Sequence, residues 1–251
     1  MTTLRKNELA LLISKDTSYL TEVKKRSLHT QDGVFDVGSL LKKELGDTIK
    51  THLGKEFVIT KPSLKDILEK RVRRTAQVIL PKDVALILAY TGIPSDSLVV
   101  DCGTGTGYLS IFLAYYLCKG NVVTYEKDRQ FARIARENIR ASGIKNIKLK
   151  EKDVTKGIEE KKVDLVTVDI QKPEKVVSLA CKALKPGGFL VVYSPTVEEM
   201  IRVNKEIKRK DFCDIKTIEN IVREWQVEKT TRPKTVGIVH TGWLTFARRV
   251  K

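Results

Sequence analysis

Three glycines at alternate positions, Gly103, Gly105 and Gly107, follow the apolar run Leu98-Val-Val-Asp101-Cys102 and precede Tyr108-Leu-Ser-Ile-Phe-Leu113. A short apolar run that breaks into glycines and resumes as a longer apolar stretch reads as strand, loop and helix. Glycines in such a loop permit a tight turn and let a ligand approach the backbone, and the first helical turn offers free amides. Thr104 and Thr106 add two hydroxyls to the same loop. The spacing is Gly-x-Gly-x-Gly, not the Gly-x-Gly-x-x-Gly of dinucleotide sites. Asp101 closes the strand, an awkward place for a pyrophosphate but a good one for a ligand ammonium.

The next strand, Asn121-Val-Val-Thr-Tyr, ends in Glu126-Lys127. An acid about 20 residues beyond the glycines can accept hydrogen bonds from both hydroxyls of a ribose. A third strand ends at Asp153-Val154, where the carboxylate could accept from an adenine amino group; a surface charge in a charged run is the plain alternative. Ammonium, carboxylate, ribose and adenine without phosphate describe S-adenosylmethionine, so Asp101, the loop 103–107, Glu126, Lys127, Asp153 and Val154 are its candidate ligands. A fourth strand, Asp164-Leu-Val-Thr-Val, ends at Asp169, followed by Ile-Gln-Lys-Pro173. That position adjoins the transferable methyl, which makes Asp169 the candidate catalytic residue as well as a cofactor neighbour. Its alternative is a cap on the helix that Pro173 opens.

These loops need a parallel sheet to carry them. From Lys82 onward helical and strand patterns alternate: helices over 82–90, 108–117, 129–141, 173–184 and 197–210, strands over 97–101, 121–125, 147–150, 163–169 and 189–193. Such alternation predicts an α/β fold, a Rossmann-like doubly wound sheet of the class I methyltransferase kind, over residues 63–251. Thr217–Glu228 and Val236–Ala247 read as long strands joined by a Pro-containing turn, a C-terminal antiparallel hairpin. Residues 1–62 carry short strands such as Leu9–Ile13, Tyr19–Lys24 and Glu56–Thr60 and read as a small N-terminal β domain. Ser63 and Asp66 form a capping-box pattern opening a helix to Lys70.

The chain has 251 residues, 41% hydrophobic and 31% charged, enough to bury a core. Its formal net charge is +16. Such a charge favours polyanions, and it clusters in Lys70–Arg74, Lys205–Lys210 and Arg248–Lys251, which favours nucleic acid over a thermophile's evenly lysine-rich surface. Apolar runs are too short to span a bilayer, and the first residues do not form a secretory signal, so membrane roles are set aside and a cytoplasmic location is expected. Four cysteines without a Cys-x-x-Cys pair and three scattered histidines give no zinc pattern. The cysteines read as small buried residues.

Several stretches resemble one family along nearly the whole chain: Leu28–Gly33, Arg73–Asp83, the glycine loop, Val123–Glu126, Val168–Pro173, Leu184–Gly188 and His240–Trp243. The chain is similar to the TrmI family, tRNA adenine-N1-methyltransferases of archaea and bacteria. The resemblance implies methylation of the T-loop adenine at position 58, and in some archaea 57, by a homotetramer that grips tRNA between subunits. It also implies a catalytic role for Asp169, ribose binding by Glu126, an adenine-side role for Asp153 and a place for Gln77 beside the cofactor. Leu80, Arg73, Arg74, Tyr193 and His240 fall to the tRNA side. Two positions depart from the family. Leu80 replaces a common tyrosine before Pro81, and Glu174 stands where an aromatic often follows the proline, so two stacking surfaces for a flipped base are missing. Two other readings compete: a protein isoaspartate or other class I methyltransferase, and a non-catalytic tRNA-binding partner subunit. The charge and the N-terminal β domain argue against the first. Retention of Asp101, Glu126 and Asp169 argues against the second.

Overall fold

The computed structural model describes residues 3–74, 78–227, 230–235 and 240–251. The chain packs as two units, one up to Val72 and one from Arg73 onward.

In the first unit, β1 (Leu9–Ile13), β2 (Ser18–Glu22), β5 (Thr48–Lys50) and β6 (Glu56–Thr60) form an antiparallel sheet in the order β2-β1-β6-β5. A ribbon of β3 (Ser27–Thr30) and β4 (Gly33–Asp36) accompanies it. Alternation along these strands buries Leu12, Phe57 and Ile59, which cluster with Phe35 and Leu40. The Phe35 and Phe57 rings meet edge to face at 4.9 Å. Helix α1 (Leu64–Lys70) starts with the expected capping box, Asp66 N donating to Ser63 Oγ at 3.3 Å and Ser63 N to Asp66 Oδ2 at 2.8 Å. It buries Leu64, Ile67 and Leu68. Lys70 Nζ donates to the Ser18 carbonyl at 2.9 Å, and Arg71 lies 3.8 Å from Glu22. These contacts attach α1 to the first unit, so the packing boundary falls after Val72 rather than at residue 62.

The second unit alternates as the sequence pattern predicts. Its elements are α2 (Pro81–Thr91), β7 (Leu98–Cys102), α3 (Tyr108–Tyr116), β8 (Asn121–Tyr125), α4 (Arg129–Ser142), β9 (Ile147–Lys150), β10 (Val163–Val168), α5 (Glu174–Ala183), β11 (Leu184–Ser194) and α6 (Val197–Ile207). After them come β12 (Phe212–Glu219), the two-residue β13 (Trp225–Gln226) and β14 (Arg232–Pro233), and β15 (Trp243–Arg249). Seven strands form one sheet in the order β12-β15-β11-β10-β7-β8-β9. β11 through β9 run parallel, and β15 is antiparallel to both β11 and β12. The parallel strands are apolar on both faces, with Val99, Val100, Leu165, Val166, Leu190 and Val192 buried. Strand order reverses between β7 and β10, so the carboxyl ends of these strands open the crevice where such sheets bind ligands.

The C-terminal pair differs from the expected long hairpin. β12 ends at Glu219 and β15 begins at Trp243, and the described strands between them, β13 and β14, form a separate two-stranded ribbon. Just past β12, Asn220 Nδ2 donates to the Lys82 carbonyl at 2.8 Å, and Lys82 Nζ donates to the Asn220 carbonyl at 2.5 Å. Ile221, Val222 and Val227 are exposed, and Trp225, also exposed, pairs with Pro233 in the short β13–β14 ribbon instead of extending β12. Glu228 and 236–239, parts of the expected strands, lie outside the described residues. The cysteines also divide, Cys102 and Cys181 being buried and Cys118 and Cys213 exposed.

Candidate functional site

Asp101 lies beneath the crevice, wholly buried. Its Oδ2 accepts from Ser110 Oγ at 2.5 Å and Thr124 Oγ1 at 2.8 Å, and its Oδ1 accepts from Thr167 Oγ1 at 2.8 Å. Burial raises its carboxyl pKa despite these donors. One carboxylate thus joins β7, β8, β10 and α3. Asp101 is not among the residues lining the cavity above: three of its four lone-pair sites accept from buried hydroxyls, which makes it a brace beneath the site where its position in the sequence had suggested an ammonium ligand. Gly103 has φ +104, and a Cβ there would sit 2.2 Å from the Asp169 carbonyl oxygen. The first glycine therefore makes room for the Asp169 backbone. The same junction is held by Asp169 N donating to the Cys102 carbonyl at 2.9 Å.

Above this floor is a cavity of about 630 Å³, within the roughly 300–1,000 Å³ usual for small-molecule sites. Gly103, Thr104, Gly105, Thr106, Glu126, Lys127, Asp153, Val154 and Asp169 all line it. Gly107 does not; it is the left-handed N-cap of α3 at φ 84. Glu126 Oε2 accepts from Gly105 N at 2.8 Å and its Oε1 from Asp128 N at 3.0 Å, so the acid braces the glycine loop it faces. Asp153 Oδ1 accepts from the Thr155 hydroxyl at 2.7 Å and amide at 3.0 Å, and these bonds hold its pKa down. Thr106 is buried, and its Oγ1 has no partner among the described residues. A Cβ on Gly105 would meet nothing within 4 Å. An orphaned hydroxyl, open space over the loop and two strand-end acids fit S-adenosylmethionine.

Asp169 occupies the other end of the cavity with Ile170, Gln171, Pro195 and Glu199. Its carboxylate has no hydrogen-bond or ion-pair partner among the described residues. Burial, with Asp101 and Glu199 nearby, pushes its pKa up to about 7. It caps no helix: Pro173 is the N-cap of α5, without a side-chain bond.

The tRNA-side candidates separate. Arg73 and Arg74 are exposed; Arg73 lies 3.5 Å from Glu137, and Arg74 sits 4.9 Å over the Tyr108 ring. Leu80 is the half-buried N-cap of α2 and does not line the cavity. Tyr193 is a packing residue, 6% exposed, and is not among the residues that line the cavity. Its hydroxyl donates to the Thr241 carbonyl, a Cβ on Gly242 would strike its ring at 2.6 Å, and burial pushes its pKa up to about 12. His240 is exposed, paired through Nδ1 with Glu219 Oε1 at 2.5 Å and packed on Trp243 at 4.2 Å; the Glu219 bond raises its pKa. Gln77 lies outside the described residues.

Sequence reasoning missed three features. Glu199 projects from the first turn of α6, far along the chain from any motif. Asn138 on α4 donates to the Thr106 carbonyl at 2.8 Å and the Arg73 carbonyl at 3.0 Å, and accepts from Arg73 N at 3.0 Å, tying the glycine loop to residue 73. Lys82 Nζ donates to Asp83 at 2.8 Å and Thr241 Oγ1 at 2.8 Å, and Thr241 Oγ1 donates to Asp83 Oδ2 at 2.9 Å. The Pro-Lys-Asp and His-Thr-Gly segments, which only resemblance distinguished, are two halves of one buried network. Among the described residues no group of three or more His, Cys, Asp or Glu side chains could hold a metal ion.

Sheet order, glycine loop and strand-end acids define a class I S-adenosylmethionine-dependent methyltransferase. The family described as "tRNA methyltransferase complex GCD14 subunit" matches residues 68–236, and the chain belongs to it. A relative from Methanocaldococcus jannaschii, tRNA (adenine(57)-N(1)/adenine(58)-N(1))-methyltransferase TrmI, is 35% identical over 95% of this chain and 93% of its own length. TrmI from Thermus thermophilus, a tRNA (adenine(58)-N(1))-methyltransferase, is 31% identical over 97% of each chain. A crystal structure of a SAM-dependent O-methyltransferase from Thermotoga maritima superposes with a TM-score of 0.86 at 29% identity, covering 99% of this chain and 95% of that one.

Proposed function

We propose that the protein methylates N1 of the T-loop adenine at position 58 of tRNA, with S-adenosylmethionine as methyl donor. The observation that carries the reading is Asp169: a half-buried carboxylate with no protein partner among the described residues, facing the cavity opposite the glycine loop, in a chain matching the TrmI relatives over nearly their whole length. Glu126 would hold the ribose, Asp153 the adenine amine, and the unpartnered Thr106 hydroxyl the amino-acid end. When bound, the donor supplies an electrophilic sulfonium methyl, which the lone pair of adenine N1 can take without prior deprotonation. Asp169 then has one task, to accept from the exocyclic amine and offset the positive charge that develops on the ring. The braced loop supplies the positioning on which such a transfer depends. The basic clusters hold tRNA phosphates while the base is extruded from the T-loop.

The same reading includes a homotetramer acting in the cytoplasm; no helix among the described residues is long and apolar enough to cross a membrane. Incubation with S-adenosylmethionine and unmodified tRNA, digestion to nucleosides and mapping by reverse-transcription stops tests it. The expected product is 1-methyladenosine at 58, and a stop at 57 as well marks the dual specificity in the M. jannaschii relative's name. Absence of 1-methyladenosine, or methyl on another atom, overturns it.

A further inference from the structure

Asp169 is not the only carboxylate at its end of the cavity. Glu199 lines the same wall from the first turn of α6, with Pro195 between that turn and β11. Its own amide donates to Thr196 Oγ1 at 3.3 Å, so the backbone, not its side chain, satisfies the helix start. The carboxylate is 17% exposed, and its one cation among the described residues is Arg202, at the 4.0 Å limit of an ion pair. Arg202 is already engaged: its Nε lies 3.7 Å from Glu174 Oε1. Behind Asp169 is the wholly buried Asp101. The acceptor end therefore gathers carboxylates with few compensating cations, an arrangement relieved either by protonation or by an occupant that brings positive charge. The donor end, by contrast, carries Lys127 and Lys152 beside its acids.

We propose that Glu199 is a second charge-selective residue of the acceptor pocket, which with Asp169 tunes it for a purine that turns cationic on methylation. The inference rests on the adenine-N1 reading above. A ring methylated at N1 is a delocalised cation, whereas methylation of a hydroxyl or an exocyclic amine leaves a neutral product. A pocket with two under-compensated carboxylates distinguishes these outcomes by stabilising the first. The sulfonium donor is also a cation, so the rival role for Glu199 is recognition of the donor.

The test uses the full-length protein and Glu199→Gln, which keeps shape and removes charge. Two T-arm RNA hairpins, one with 1-methyladenosine at the target position and one unmodified, are titrated onto protein saturated with S-adenosylhomocysteine. Donor and by-product affinities are measured separately, and binding of S-adenosylhomocysteine reports that the variant is folded. The native protein should favour the methylated hairpin, and Glu199→Gln should cut that preference about tenfold, as expected for one charge-assisted contact. The ratio of S-adenosylmethionine to S-adenosylhomocysteine affinity should not change. An unchanged hairpin preference, or a loss confined to the donor ratio, overturns the role of Glu199 and leaves the adenine-N1 reading standing. If neither hairpin binds the native protein while the donor does, the RNA reading falls and the inference with it.

Discussion

The two ends of the cavity treat their acids differently. At the donor end every carboxylate is committed: Glu126 to two backbone amides, Asp153 to Thr155, and Asp101 below to three hydroxyls. At the acceptor end Asp169 has no partner among the described residues, and Glu199 has only a distant share of Arg202. A ligand with fixed polar groups is best met by a rigid, prebonded frame. A charge that appears only during reaction is best met by acceptors held in reserve, because interactions formed only in the transition state accelerate the step. The contrast assigns binding to one end and rate to the other.

The sharpest way to break it is Asp169→Ala with Asp169→Asn. Both should lower single-turnover methylation on the order of 100-fold or more, with donor affinity little changed. Asn keeps the shape but not the charge, so a fully active Asn variant would falsify the electrostatic role. Asp101→Ala should act on folding, since it strips three buried hydroxyls of their acceptor; a loss of about 2–3 kcal/mol in denaturant unfolding is expected. A stable Asp101→Ala protein with specifically weakened donor binding would return Asp101 to the ligand. Glu126→Ala should weaken S-adenosylmethionine by about 1–3 kcal/mol in calorimetry while the rate at saturating donor changes far less. An equal loss in both would blur the division of labour.

The pH dependence sharpens the same contrast. Asp169 must be ionised to accept from an amine, and its pKa stands at about 7. kcat/KM should therefore fall as pH drops through about 7, reporting the free enzyme. The stability sign is opposite. The folded pKa lies above the ordinary 3.8, so the folded state binds this proton more tightly. That contribution is complete below the ordinary value and lost as pH rises through about 7. Asp169→Asn should abolish both trends, and a native profile flat from pH 5 to 8 would show that the carboxylate titrates elsewhere. The smallest effect is expected outside the cavity. Replacing Arg73 and Arg74 by Ala should reduce the slope of log tRNA affinity against log salt by up to about 2, and an unaltered slope would remove these arginines from the RNA-binding surface.

Local pattern was enough for much of this molecule. The strand–loop–helix at 98–113, the alternation from Lys82 onward and the acids at 126, 153 and 169 were legible because each is a short run whose period or terminal residue has one physical reading. Asp101, Tyr193 and Glu199 were not. Thr167 lies 66 residues from the Asp101 it bonds, and Thr241 lies 48 from the Tyr193 hydroxyl. No window of sequence contains either pair.

The sequence by itself determined which segments become strands and helices, and therefore which acids arrive at the carboxyl edge of the sheet. Period and glycine placement are properties of neighbours along the chain. Only the tertiary structure decided which of those acids are consumed by the protein and which stay available. That depends on burial and on donors from distant strands: Asp101 and Asp169 lie at the ends of adjacent strands, yet three hydroxyls reach one and none among the described residues reaches the other. It also decided that the pairing of β12 stops at Glu219, where Asn220 bonds instead to Lys82, 138 residues earlier.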